Sequence, residues 1–165
     1  MNTRRSSDDT TRHDGELGFS LIELMTVVMI VAVLIAILIP NFLQAKKPAM
    51  DRQAQSLLRE SATAARTVES SAAEVAPTAS ALASTEPGVD FVDATTSATA
   101  KMNRVSVSEG TSGGAWYLIL ASHSTSGRCY AVLERDGAAT AFQRMESASC
   151  RADQFDPGTG WVGSW

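Results

Sequence analysis

Between Phe19 and Leu43 every side chain is apolar or uncharged except Glu23. The 21 residues Phe19–Ile39 would span about 32 Å as a helix, against a hydrocarbon core of about 30 Å, and so predict one full membrane crossing. Beyond Pro40 the pattern becomes one-sided. Met50, Ala54, Leu57, Leu58, Ala62, Ala65, Val68, Ala72 and Val75 recur at steps of three and four, which predicts an amphipathic helix with its stripe packed on a domain. Asp51, Arg52, Arg59, Glu60, Arg66 and Glu69 are expected mostly on the opposite side. Pro40 and Pro48 should kink or loosen this length, and Pro77 should end it near Ala76.

Residues 77–104 are rich in Ala, Ser and Thr and read as a long connecting loop, with room for a short strand near Val89–Val92. Strand patterns follow at Arg104–Ser108, Trp116–Ser122, Arg128–Arg135 and Thr140–Arg144. Gly110–Gly114 and Ser124–Gly127 read as turns, and Asp136-Gly137 as a two-residue hairpin. The expected fold is α+β: a long N-terminal helix packed on one face of a small antiparallel sheet of about four strands.

With 165 residues the chain suits one membrane helix and one small domain. Its net charge of −4 is scattered, so no basic face offers itself to nucleic acid. Residues 1–18 are polar, with Arg4, Arg5 and Arg12 set against Asp8, Asp9, Asp14 and Glu16, and read as a leader that stays in water. Lys46, Lys47, Arg52 and Arg59 follow the apolar run, so positive charges do not decide its orientation. Lys46 and Lys47 fit the level of phosphate headgroups. Cys129 and Cys150 are the only cysteines. They fit one disulfide in an oxidising compartment, or else two buried free thiols. A bridge would close a loop of about 20 residues, worth roughly 3 kcal/mol in the chain-entropy picture, and staple Glu146–Trp165 to the sheet edge.

A carboxylate inside a membrane-length segment costs roughly 3 kcal/mol, so Glu23 is expected to serve a partner. The run Gly18-Phe19-Ser20-Leu21-Ile22-Glu23-Leu24-Met25, then an apolar helix and Ile39-Pro40-Asn41-Phe42, resembles the N-terminus of a type IV pilin. The likeness covers about residues 14–60. It implies that a prepilin peptidase cuts between Gly18 and Phe19 and methylates Phe19. It also implies that the new Phe19 amine of an incoming subunit pairs with Glu23 of a subunit already in the filament, and that Pro40 marks where the helix melts on assembly. The leader departs from the family pattern by being longer and not net basic. The partners implied are copies of the same chain, the peptidase, the inner-membrane assembly machinery, and membrane lipid before assembly.

The resemblance thus predicts 1–18 as a cleaved cytoplasmic leader, 19–43 as a transmembrane assembly helix, 44–76 as its amphipathic half, and 77–165 as an extracytoplasmic β-domain. It points to a disulfide-bounded C-terminal region held by Cys129–Cys150, and to a structural subunit of an extracellular filament, not an enzyme. A minor pilin or a type II secretion pseudopilin is the nearest alternative within the family, and the cysteine pair favours a pilin. A membrane-anchored binding domain that never polymerises is the alternative outside it. Adhesion, twitching motility and DNA uptake are not separated by the residues.

Chemistry-bearing motifs are sparse. His13 lies in the leader and His123 stands alone at a strand end, without a nucleophile elbow or an acid partner. Asp153 and Asp156 do not have the spacing of an EF-hand loop. Gly158-Thr159-Gly160 lacks the strand–turn–helix setting of a phosphate loop. No metal or cofactor is expected. Trp161 and Trp165, beyond Cys150, are expected to pack back on the domain, with an exposed aromatic tip as the other possibility.

Overall fold

The computed structural model describes residues 18–71 and 76–165. The chain divides at Asn41 into an N-terminal helical unit and a compact unit from Phe42 to Trp165. Helix α1, Leu21–Ser71, contributes to both and runs through Pro40 and Pro48 without interruption. Helical structure is thus continuous through both prolines, although each removes one backbone donor from the helix. Ala76 lies outside the helix, and Ala72 and Val75 of the apolar stripe lie outside the described residues, as do the leader residues 1–17 with His13.

The C-terminal unit is an α+β fold around a five-stranded sheet in the order β1-β2-β3-β4-β5. The strands are β1 Asp90–Asp93, β2 Arg104–Ser112, β3 Ala115–His123, β4 Arg128–Arg135 and β5 Ala141–Glu146. The sheet is mixed rather than antiparallel, because β1 pairs with β2 in parallel, Asp90 opposite Arg104. A parallel neighbour requires the chain to return before pairing. Residues 94–103 make that return through a 3-10 turn at Ala98–Ala100, whose Ala98 is fully buried.

The segment 77–104 is also more ordered than a connecting loop. Helix α2 spans Ala79–Thr85, with the Thr78 hydroxyl accepting from the Ala81 amide at 3.3 Å and Leu82 fully buried. An N-cap threonine after Pro77, followed by alanines, is a helix start. One anchoring leucine in seven residues is too little periodicity to announce the helix.

Turn chemistry corrects two further expectations. β2 continues to Ser112, and Gly113-Gly114 alone closes the β2–β3 hairpin, with φ of 64° and 87°. Positive φ at both central positions is the mirror-image turn that matches strand twist, and glycine adopts it without strain. Asp136-Gly137 instead sits in a longer connection, since the last β4–β5 rung is Leu133 opposite Ala141.

Both faces of the sheet are covered, where one was expected. On the first, Ala54, Leu58, Ala62, Ala64 and Ala65 of α1 pack with Val105, Val107, Leu118, Leu120 and Val132. On the second, Ile119, Ala121, Cys129, Ala131 and Leu133 lie under Ala98, Cys150, Ala152 and Phe155. The small alanines let the helix approach the sheet closely, while Leu58, wholly buried, supplies the large side chain.

Candidate functional site

Gly18, Phe19 and Ser20 precede α1 in non-helical conformation. The helix begins at Leu21, and the Ser20 carbonyl accepts from the Leu24 amide at 3.1 Å. Glu23 therefore falls in the first turn, where a negative charge complements the unpaired amides of the helix start. Glu23 is exposed and makes no ion pair among the described residues. The Thr26 hydroxyl donates to the Ile22 carbonyl at 2.8 Å, so this polar group is satisfied inside the helix. A methyl group placed on Gly18 would meet open space, and its φ is not left-handed. Among the described residues nothing requires glycine there.

From Phe19 to Phe42 the large apolar side chains are all exposed on the single chain, Phe19 at 80%. The helix is long and apolar enough to span a membrane. Such a surface is stable in water only when covered, by lipid or by protein. At the next turn Lys46 holds its ammonium 4.5 Å from the Phe42 ring centre, a cation–π contact.

In the compact unit the cysteines are joined, Cys129 to Cys150, with their Cα atoms 5.3 Å apart. The bridge does not staple the sheet edge. Cys129 lies on β4, an interior strand, and faces the second side of the sheet. The bridge thus holds the C-terminal segment over that face. Around it the Cys150 carbonyl accepts from the Ala98 amide at 2.7 Å, and the Ser106 hydroxyl accepts from the Ala152 amide at 3.0 Å. The tail then crosses the β5 edge, where Val162 and Phe142 exchange backbone hydrogen bonds of 2.8 and 2.9 Å. Trp161 rests against Phe155 on the second face, whereas Trp165 rests against Tyr130 and Phe142 on the first. Both tryptophans pack back on the domain.

Two polar groups that the sequence reading missed sit in the seam between α1 and the sheet. Asp51, expected on the polar side, is 6% exposed. Its carboxylate accepts from Ser124 at 2.7 Å, from Ser126, and from the Arg128 guanidinium at 2.8 Å. Burial alone would raise its pKa, but these donors, with Tyr130, outweigh it and hold the carboxyl below the usual range. At the far end of the seam Glu134 of β4, 4% exposed, accepts from Thr140 at 2.8 Å and pairs with Arg66 of α1 at 3.4 Å. Here burial prevails and raises the carboxyl, against the lowering influence of Thr140 and Arg66.

His123 ends β3 and is partly exposed. Asp153 pairs with Arg151 at 3.0 Å, and Asp156 accepts from the Gly158 amide at 2.8 Å, so each acid serves its own turn. Comparison with models of protein families, with curated proteins and with solved structures yields no match to this chain.

Proposed function

We propose that this chain is the structural subunit of a type IV pilus, processed at Gly18–Phe19 and polymerised through its N-terminal helix. The observation that carries this reading is the apolar surface of Phe19–Phe42, exposed on the single chain, with one carboxylate in its first turn. Gly18 supports it too: the fold has room for a side chain there, so a requirement for glycine would come from a processing enzyme. In this reading lipid covers the helix before assembly and neighbouring helices cover it afterwards. Glu23 then receives the Phe19 amine of an incoming subunit, because an unpaired charge among apolar helices is expensive. The disulfide-bound domain faces outward.

The test is mass spectrometry of material sheared from the cell surface. A chain beginning at methylated Phe19 is expected, and Glu23→Val is expected to be cleaved normally yet to leave filaments absent or sparse. A surface chain that retains residues 1–18, or a Glu23→Val variant with normal filaments, overturns the proposal in favour of an anchored domain that does not polymerise.

A further inference from the structure

Strand β5 is an edge of the sheet, and the tail covers only part of it. Phe142 turns its N–H and C=O away from β4, since both bond to Val162. Alternate residues of an antiparallel strand point the same way, so the N–H and C=O of Arg144 and Glu146 also face outward. No backbone group among the described residues pairs with them. The Phe142–Val162 register would bring Gly160 opposite Arg144, but that rung does not form. Gly160, at φ 83°, has left the line of the strand: a methyl group on it would stand 2.5 Å from the Gln143 amide, which by alternation shares the second face with Ala141 and Met145. The tail thus straddles β5, with Gly160 on one face and Trp165 on the other. At the open rung lies a cavity of about 310 Å³, lined by Phe142, Gln143, Arg144, Gly160, Val162 and Trp165.

Three buried side-chain polar atoms lack a hydrogen-bond partner among the described residues, and two of them, Gln143 Oε1 and Trp165 Nε1, belong to this lining. One is an acceptor and the other a donor, and folded proteins rarely leave either unpaired. Charge is unmet here too. Arg144 makes no ion pair among the described residues, and Glu146, 85% exposed, has only Arg128 at 3.9 Å, which holds Asp51 more closely at 2.8 Å. The geometry points to the β5 edge at Arg144 and Glu146 as a strand-addition site for an extended peptide of another polypeptide, one that carries a basic residue and, two positions on, an acidic one. Running antiparallel, the acidic residue exchanges backbone hydrogen bonds with Arg144 as Val162 does with Phe142, and its carboxylate stands beside the guanidinium. The basic residue lies on the same face beside Glu146. The site is built within the disulfide-bound domain, so it stands or falls separately from polymerisation.

The test is titration of the full, oxidised chain in detergent micelles with a short blocked peptide of threonine and valine that carries one lysine and, two residues on, one glutamate. Binding tighter than about 1 mM is expected, with slowed amide exchange at Arg144 and Glu146 and a shift of the Trp165 indole N–H resonance. Exchanging the two charges in the peptide is expected to weaken binding by about fivefold, and Arg144→Glu to erase that preference. N-methylation of the peptide glutamate, which blocks donation to the Arg144 carbonyl, is expected to abolish the protection. Binding weaker than about 1 mM, equal binding of the charge-exchanged peptide, or undiminished binding of the N-methylated one overturns the site. Protection that rises with protein concentration alone would assign the edge to a second copy of this chain, and overturns it as well.

Discussion

The seam between α1 and the sheet is tied at both ends by a carboxylate and an arginine, and the two ties run in opposite senses. At one end the helix supplies the acid, Asp51, and the sheet supplies Arg128; at the other the sheet supplies the acid, Glu134, and the helix supplies Arg66. Both acids are buried, but Asp51 has two serine hydroxyls besides its arginine while Glu134 has one threonine. Burial is therefore overcome in one case and prevails in the other. Glu134 is the more deeply enclosed of the two and Asp51 the better supplied with donors, and both differences push the carboxyls apart in the same sense.

The largest effect should come from breaking the better-supplied tie. Asp51→Ala is expected to destabilise the domain by about 2–3 kcal/mol in chemical denaturation, because it strips an ionised acceptor from a buried serine and leaves a guanidinium without its partner. A loss no greater than that of an exposed substitution would show the cluster to be energetically idle.

A smaller and opposite signature is expected from the pH dependence of wild-type stability. Asp51, whose pKa is depressed, contributes stability that is complete above its ordinary value of 3.8 and is lost as pH falls through its lower folded value. Glu134, whose pKa is raised, imposes a cost at neutral pH that is relieved as pH falls through its folded value toward the ordinary 4.5. Stability should thus rise gently on mild acidification, then fall in strong acid. In Glu134→Gln the gentle rise should vanish and the steep acid loss should remain; persistence of the rise would assign it to another group.

The smallest change should follow Thr140→Val, which removes one hydrogen bond to Glu134 at the edge of the seam, at a cost of about 1 kcal/mol or less at neutral pH. Equal losses for Thr140→Val and Asp51→Ala would erase the distinction between the two ends.

Local patterns carried the reading a long way. The apolar run from Phe19, the position of Glu23 near its start, and β4 at Arg128–Arg135 all rest on neighbouring residues, and each is found where the pattern puts it. The second covered face had a signal as well. Trp116–Ala121 and Cys129–Leu133 are unbroken apolar stretches, the mark of strands buried on both sides, rather than the alternation of a one-sided sheet. Asp51 shows where charge misleads. It lies three residues before Ala54 and seven before Leu58, on the apolar stripe itself, but its donors are 73 to 77 residues away. Only the folded chain brings them together. The parallel β1 likewise depends on a crossover that no local pattern encodes.

The path of the tail has a practical consequence. Because Trp165 is wedged edge-on to Tyr130 with ring centres 5.0 Å apart, a tag or displayed peptide joined directly after it would begin beside a packed aromatic corner. The tip at Asp136–Ala139, wholly exposed and closed by Gly137 at φ 64°, is the better graft point for cargo, since extra residues there would displace no buried ring.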